Sequence, residues 1–578
     1  MKGKYPEYPA EPISDIREMF LKTTEKHPER TALQHKRDGR WIPILYQELR
    51  QAVEQAACGL AAVGLEPGEG KLAIVGDNRP EWAVSYLAAA CTGIVSVPID
   101  KDLRETEVFH ILYLSGADAL VGDAAHVGMV QEIRKKLPRL KTLISMDATA
   151  EENGVLSFEG LKEMGRARKE SGHDEFAERQ VSPDHLLAIL FTSGTMGNSK
   201  GVMLTHGNVA SNIIDAARWV NLRTEDRFLS VLPMHHSYEC THGFLLPIYR
   251  GAMASYAENL RRVVENAAET QATAVLGVPL LWHAIYKRIE AALAAKGTWK
   301  IQAAKKAAGI TEKWLGWNIR RKIFAKVHER FGGSLRILIS GGAAVDPVVA
   351  RGYRELGIEF LQGYGLTESS PILAVNRNEA FKDNAAGLPM ATVDIRIAED
   401  GEILARGPNI MQGYYNNPEA TRQTIVDGWL HTGDLGYIDE DGFLHIQGRK
   451  KSVIVTPGGK KVYPEEVEAE LLKSPYILEC IIWGDGRGDP GEEVEIQAIV
   501  VPNTEYFIEQ GFESHGGLDP EQVEEILRKE VRKQCRNLAP FKRVTRVAVR
   551  NEEFEKTTTR KIKRYLYTGR PASIGTRS

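Results

Sequence analysis

Residues 191–206 read FTSGTMGNSKGVMLTH. An apolar run, Leu186 to Phe191, feeds a loop of Thr, Ser and Gly that carries one lysine, Lys200, and a second apolar strand follows. Residues this small let backbone N–H groups close on phosphate oxygens, while hydroxyls add donors and the ammonium adds charge. The spacing is not that of a Walker A loop, because Gly194-x-x-Gly197 is followed by Asn198, Ser199 and Lys200. The strand-loop-strand setting also differs from the strand-loop-helix of P-loop proteins. Read alone, the segment is equally an ordinary hairpin turn.

Its surroundings say more. Lys71 to Gly76 (KLAIVG), Ala119 to Gly122 and Thr142 to Met146 are short apolar runs of the kind that become strands buried on both faces. Tyr46 to Val63 and Glu81 to Cys91 have helical spacing and stop near Gly64 and Gly93, and Ile94 to Pro98 reads as a strand. Such β-α alternation predicts a parallel sheet covered by helices. Glu151 to Asp184 is polar and reads as a surface excursion. A second alternation runs from about Asn208 to Glu368. Within it Leu280 to Phe331 is helical, with Trp314, Trp317, Ile323, Phe324 and Val327 among Arg320, Arg321, Lys322 and Lys326. That pattern fits a basic helix lying on a membrane surface or a helix packing an apolar stripe on the sheet.

From Gly387 the texture changes to short strands, including a hairpin, DLGYIDEDGFLHIQGR, with Asp441-Gly442 in its turn. After Lys450, strands (Ser452 to Thr456, Cys480 to Gly484, Glu495 to Val501) mix with helices (Pro464 to Lys473, Pro520 to Asn537). The expected fold is α/β. A large N-terminal domain of helix-covered mixed sheets with a β-rich subdomain spans residues 1–449, and a small mobile α+β domain spans 450–578.

Composition narrows the function classes. A chain of 578 residues, 43% hydrophobic and 26% charged, is ordinary globular material and not a disordered, collagenous or coiled-coil chain. A net charge of −3 gives no global field that favours nucleic acid. Five scattered cysteines, odd in number and without a C-x-x-C pair, argue against a disulfide framework or zinc ribbon and for a reducing cytosol. The first fifteen residues, MKGKYPEYPAEPISD, lack the apolar core of a secretory signal. Trp82 to Ile99 is too interrupted to span a bilayer. A cytoplasmic protein is expected, with peripheral contact at the inner face of the membrane as a second reading.

Three more segments carry chemistry. Gln362 to Pro371, QGYGLTESSP, sets Glu368 beside the hydroxyls of Thr367 and Ser369 after an aromatic-bearing turn. His431 to Gly436, HTGDLG, places Asp434 at the start of the hairpin that Gly448-Arg449 ends. A carboxylate near an arginine is also what a surface ion pair looks like. The tail, Lys556 to Arg564, has five basic residues of nine and reads either as a solvated patch or as the carrier of one special lysine.

TSGTMGNSKG, GYGLTE, HTGD with GR, and TTTRKIKR together resemble, in order and from about Tyr46 to Tyr565, the signature motifs of the adenylate-forming enzymes: acyl-CoA synthetases, luciferases and nonribosomal-peptide adenylation domains. The T-x-T-x-K-x-K-R form of the tail, RPEW (Arg79 to Trp82) and LPMHHSYE (Leu232 to Glu239) followed by GVPLLWHAIYKRI resemble long-chain fatty acyl-CoA synthetases in particular. Two positions depart from the pattern. Arg560 precedes Lys561 where the family usually has Gly, and His235 stands where long-chain members often have Ser.

The resemblance implies roles position by position. Thr192, Ser193, Gly194, Thr195, Gly197 and Lys200 would cradle the β- and γ-phosphates of ATP, and Thr192 and Glu368 would hold Mg²⁺ through hard oxygen ligands. Gly341, Gly342 and Ala343, with Gln362, Gly363, Tyr364, Gly365 and Thr367, would wall the nucleotide, Tyr364 stacking on adenine. Asp434 and Arg449 would hold the ribose. His236 would lie by the acyl carboxylate, and Gly277, Val278 and Pro279 would form the acyl pocket wall. Lys561 would bridge the acyl carboxylate and the α-phosphate, Lys451 would be the hinge, and Gly458 and Gly459 would line the passage for coenzyme A. The implied reaction is ATP-dependent acyl-CoA formation through acyl-AMP, with a carboxylic acid (a fatty acid by the subfamily resemblance), ATP and CoA as partners. The alternatives are an acyl-AMP ligase that serves a carrier protein, a luciferase-type oxygenase and a non-catalytic nucleotide sensor.

Overall fold

A computed structural model gives the fold and describes residues 5, 7–192, 199–295, 298–315, 319–456, 459–484, 495–514, 517–556 and 562–568. The strand Lys71–Val75 is buried along its whole length, because it takes Val95–Ile99 on one side and Ala119–Gly122 on the other, both parallel to it. Thr142–Ser145 and Val155–Ser157 extend this sheet in parallel. On its other flank Leu186–Thr192 runs parallel to Val95–Ile99, and Lys200–Thr205 and Gly413–Tyr414 add antiparallel strands. A second sheet carries Arg227–Ser230, Ala274–Gly277, Ile337–Ser340 and Glu359–Gly365 side by side and parallel, with Ile372–Val375 antiparallel beyond them.

Helices expected at Tyr46 and Glu81 form as Tyr46–Ala62 and Pro80–Thr92, the latter ended by Gly93 at φ +74. Trp82 stacks on Tyr86 at 5.5 Å between ring centres, and Phe244 meets both rings edge-on. That aromatic knot is part of the large core. The five cysteines are buried free thiols.

Two expectations need correction or resolution. The polar segment Glu151 to Asp184 is no excursion: it supplies an edge strand and then the helix Phe158–Glu170, whose Phe158, Leu161 and Gly165 are buried. Charged residues dilute that apolar stripe in the sequence. The helix is instead held by close backbone approach. A Cβ on Gly165 would sit 1.8 Å from the Gln55 carbonyl oxygen, and one on Gly59 would sit 2.2 Å from that of Leu161. In the basic stretch, Phe324 and Val327 are taken up by a core with Tyr353 and Phe360, and Arg321 donates to the carbonyls of Leu335 and Gly333 at 2.7 Å each. There the sheet-packing reading applies; the side chains of Trp314 and Trp317 lie outside the described residues. No helix among the described residues is long and apolar enough to cross a membrane.

The chain divides into two compact units. One comprises Met1–Ile395, Ala405–Leu430 and Glu440–Leu444; the other comprises Arg396–Leu404, His431–Asp439 and His445–Ser578. The second has its own core. Ile477–Gly484 and Ile496–Pro502 pair antiparallel, Arg546–Val549 joins in parallel, and Val467, Leu471, Val500, Phe507 and Leu527 are buried between this sheet and the helices Pro464–Leu471 and Pro520–Gln534.

Gly165→Val is expected to destabilise the first unit by about 1–3 kcal/mol, since overpacking against backbone cannot relax through a side chain. Gly128→Ala, whose Cβ would meet nothing within 4 Å in a helix interior, is expected to be neutral or stabilising. Chemical denaturation of both variants checks this. Equal effects would contradict the close packing.

Candidate active site

Three parallel strands are in register in the second sheet, Gly277 pairing with Ser340 and Ser340 with Gln362; the first two end at this level and the third runs on to Gly365. Gly277-Val278-Pro279 and Gly341-Gly342-Ala343 leave the sheet here, while Gln362 to Gly365 remains strand and pairs from Gly363 with Ile372–Val375. Ligands of open α/β sheets bind in the crevice outside such strand ends. The Gly341 N–H donates to the Gly277 carbonyl at 3.1 Å. A Cβ on Gly341 would lie 2.9 Å from Tyr238 Cζ, so glycine there admits the tyrosine ring, and Gly342 follows at φ +87. The Gln362 side-chain amide donates to the Asp383 carbonyl at 2.8 Å, and Tyr364 and Thr367 are half-buried on the segment that follows. Gly365 faces Pro371, whose carbonyl oxygen a Cβ would approach to 1.8 Å.

Thr192 and Lys200 are register partners at the mouth of the phosphate-type loop. The Lys200 ammonium sits 4.5 Å from the centre of the Tyr414 ring, and the Tyr414 hydroxyl donates to Glu368 Oε1 at 2.8 Å. The structure thus brings Lys200 and Glu368 together at a residue the sequence reading missed, with Thr192 beside Lys200 in the strand pair. Burial and the neighbouring Glu368 carboxylate push the Tyr414 phenol above its usual range. Edge pairing of Gly413–Tyr414 with Met203 and Val202 positions the ring, and the Met411 N–H donates to the Glu368 carbonyl at 2.9 Å. The only trace in the sequence is a pair of tyrosines after MQG, which reads as surface aromatic.

His236 follows Leu232-Pro233-Met234, a turn held by Asn78, which accepts from the Met234 N–H at 2.9 Å and donates to the Leu232 carbonyl at 2.7 Å. The His235 and His236 rings lie 4.6 Å apart, and His235 Nε2 is 3.5 Å from an Asp100 carboxylate oxygen. Val278 is buried at the start of the helix Pro279–Ala294.

In the second unit, Arg449 Nε lies 2.9 Å from Asp434 Oδ1, with Asp434 buried and Arg449 partly exposed. Glu402 organises their surroundings: it accepts from the Gly433 N–H at 2.9 Å, from His431 at 3.2 Å and from the Lys450 ammonium at 2.9 Å. Burial alone would raise the Glu402 carboxyl, but these donors hold it below its usual range. Lys451 lies in the short helical turn after Arg449, and Gly459 adopts φ +71 in the turn between Ile454–Val455 and Lys461–Val462. Ser193, Gly194, Thr195, Gly197, Gly458 and Lys561 lie outside the described residues. On either side of Lys561 the tail is not a solvated patch: Lys556 pairs with Glu479, and Arg564 pairs with Glu468, all four with little exposure except Arg564.

The donor set suits Mg²⁺. That ion is held through one or two carboxylates plus phosphate oxygens and water, and Glu368 with the Thr192 hydroxyl offers hard oxygens of that kind. No cluster of three or more His, Cys, Asp or Glu residues able to hold a metal is found among the described residues.

Residues 20–415 match the family model for the AMP-binding enzymes. The chain belongs to that family. A long-chain-fatty-acid–CoA ligase, FadD15, of Mycobacterium bovis is 30% identical over 491 residues, covering 82% of this chain and 80% of the relative. A feruloyl-CoA synthase of an Amycolatopsis species is 30% identical over 492 residues, covering 82% and 86%. Among solved structures, the anthranilate–CoA ligase AuaEII in complex with anthranoyl-AMP superposes with a TM-score of 0.73 at 19% identity over 98% of both chains, which shows a shared fold. The AMP-binding enzyme described here therefore has the adenylate-forming fold throughout.

Tyr414→Phe is expected to reduce ATP-dependent activity roughly ten- to hundredfold, the worth of one hydrogen bond to a charged group. Tyr414→Ala should cost more, since it also removes the ring beneath Lys200. Steady-state kinetics at varied ATP and Mg²⁺ check the order; equal activity in wild type and Tyr414→Phe would detach the hydroxyl from function.

Proposed function

We propose that this AMP-binding enzyme joins a carboxylic acid to CoA in two half-reactions: the acid attacks the α-phosphate of ATP to give acyl-AMP and pyrophosphate, and the CoA thiol then displaces AMP. The observation that carries this reading is the meeting of Lys200 and Glu368 at Tyr414 within one unit, with Thr192 the register partner of Lys200, which supports a phosphate and metal site. Acid and ATP are both anions, so their approach requires preorganised positive charge. Lys200 supplies part of it at the phosphates, and Mg²⁺, when bound by Glu368 and Thr192, neutralises further charge on them. In the second unit Asp434 accepts from the ribose hydroxyls while Arg449 donates to them. Lys561, on the same unit, reaches the bridge between acyl carboxylate and α-phosphate during adenylation. Movement of this unit about Lys451 then replaces Lys561 by the Gly458-Gly459 passage for CoA.

The acid is apolar over most of its length. The relatives named above act on a long-chain fatty acid and on ferulate, so aliphatic and aryl acids both belong in the test. Pyrophosphate release and product mass over a panel of both kinds, with ATP and CoA, decide the reading. Acyl-CoA supports it, acyl-AMP without acyl-CoA redirects it to a carrier-protein acceptor, and no pyrophosphate with any acid refutes it.

Two variants test the parts. Asp434→Ala should weaken AMP and ATP binding alike, roughly ten- to hundredfold for one lost charge-assisted hydrogen bond; unchanged AMP affinity by calorimetry would remove it from the ribose. Lys561→Ala should cut ATP–pyrophosphate exchange by orders of magnitude yet still turn supplied acyl-AMP and CoA into thioester. Lys563→Ala should disturb neither step much. Lys556 is not a neutral comparator, because it is paired with Glu479. Equal impairment of both half-reactions in Lys561→Ala would refute the two-pose assignment.

A further inference from the structure

In the second unit the tail doubles back on itself. Lys556 and Ile562 form an antiparallel bridge, and the Lys563 N–H donates to the Glu555 carbonyl at 2.8 Å. The chain thus leaves at Lys556 and returns at Ile562, and Lys561 is the residue before the return. Each arm is pinned by a carboxylate. The Lys556 ammonium pairs with Glu479 on the strand Ile477–Gly484, and Glu479 also accepts from the Phe554 N–H at 3.1 Å. The Arg564 guanidinium pairs with Glu468 on the helix Pro464–Leu471, and Glu468 accepts from the Ile482 N–H at 2.7 Å. The side chains of Lys556, Glu479 and Glu468 are only 10%, 10% and 12% exposed.

Apolar contact already holds this tail on its sheet. Phe554 is buried with Ile481, Ile499 and Val501, Ile562 packs against them, and the Phe554 and Tyr567 rings meet edge-on at 4.9 Å. Ion pairs with so little exposure add little to adhesion, because desolvating the charges offsets their attraction and apolar residues of like volume serve equally well. What a buried pair does is fix one arrangement, since moving either partner leaves a charge buried alone. Both carboxylates are also tied to backbone, Glu479 to the tail itself and Glu468 to the sheet's edge strand at Ile482. The two pairs therefore set a position. Lys561 stands five residues beyond one pinned residue and three before the other.

We infer that Glu468 and Glu479 are positioning residues for adenylation: by holding Arg564 and Lys556 they fix both ends of the segment that carries Lys561. The inference rests on the role of Lys561 proposed above and adds what aims it. Each carboxylate acts through its basic partner and not on the substrate. An ammonium on a long flexible stem serves a reacting bridge only where its backbone is placed, and a misplacement of about 1 Å can cost roughly a hundredfold in rate. Because Lys561 serves the first half-reaction alone, loosening its carrier slows acyl-AMP formation and spares the attack of CoA on acyl-AMP. Unfolding of this unit would slow both, since Asp434, Arg449 and the proposed CoA passage belong to the same unit.

The test uses the full chain and measures the half-reactions apart: ATP–pyrophosphate exchange with dodecanoate or ferulate, and thioester formation from dodecanoyl-AMP or feruloyl-AMP plus CoA. Glu468→Gln and Glu479→Gln keep the side-chain shape and remove the charge. Each should lower kcat for exchange roughly ten- to hundredfold while KM for ATP and the rate of thioester formation stay near those of the wild type. Lys556→Met combined with Glu479→Gln should be no worse than Lys556→Met alone, because both break one and the same pair. A wild-type exchange rate in either Gln variant overturns the inference, as does an equal loss in both half-reactions, the mark of a merely structural role. If Glu468→Gln does not fold, Glu479→Gln and the double variant decide by the same criteria, and a further loss in the double variant also overturns the inference. Lys561→Ala separates this inference from the reading beneath it. Selective loss of exchange in Lys561→Ala without such a loss in the Gln variants defeats the inference alone. Unimpaired exchange in Lys561→Ala defeats the role proposed for Lys561 and this inference with it.

Discussion

The shared register of three parallel strands, fixed by the pairing of Gly277 with Ser340 and of Ser340 with Gln362, is the constraint on which the first unit depends. Parallel neighbours cannot be joined by tight turns, so each strand must leave the sheet and return across a covering helix. Two departing segments are thereby left beside the continuing end of the third strand, and residues there are small where another group must come close. Gly341 leaves room for Tyr238, and Gly365 leaves room for the Pro371 carbonyl. The walls of the candidate site are consequences of this register. Substituting these glycines would move backbone, and side-chain rearrangement could not absorb the change.

Charge is arranged by the same economy of contact. Lys200 is not cancelled by a direct ion pair with Glu368 in this arrangement: the Tyr414 ring lies beneath the ammonium, and the Tyr414 hydroxyl points its hydrogen at the carboxylate. A phenol serves both because its face attracts cations and its O–H donates. In the second unit Glu402 plays a comparable part for Asp434 and Arg449. It gathers the N–H of Gly433 and the ammonium of Lys450, which immediately flank those two, and the imidazole of His431 three residues before Asp434. Buried carboxylates with several donors are rigid points, and this one fixes the surroundings of the Asp434–Arg449 pair.

Much of the fold was legible in the sequence, for a physical reason. A strand such as Lys71–Val75, buried on both faces, must be apolar at nearly every position and cannot be mistaken for a surface element. The helix Phe158–Glu170 was misread because its docking relies on Gly165 and Gly59, and glycine carries no hydrophobic signal. The site divides the same way. Thr192, Lys200, Glu368, Asp434 and Arg449 stood in local motifs, each with its chemistry written in consecutive residues. Tyr414, Tyr238 and Glu402 act through partners far away in the chain, and only the pairing of distant strands or the end of a distant strand brings them into place. Nothing in MQGYYNN announces that its first tyrosine will lie between a lysine and a glutamate more than forty residues upstream.

The buried polar groups around the π-helix follow from one local irregularity. A regular helix through Glu239 to Leu245 would present its side chains at 100° intervals, and the wider turn changes which of them face inward. Here Glu239, Thr241 and His242 are all buried, where an apolar core would ordinarily reject two of the three. Glu239 finds Ser230, and burial keeps its carboxyl protonated near neutrality. Thus it adds no charge to the region, and His242 is left neutral beside Tyr238. An interior that tolerates such groups without charge is selective in a particular sense: it penalises ions strongly, hydrocarbons mildly, and neutral hydrogen-bonding groups least.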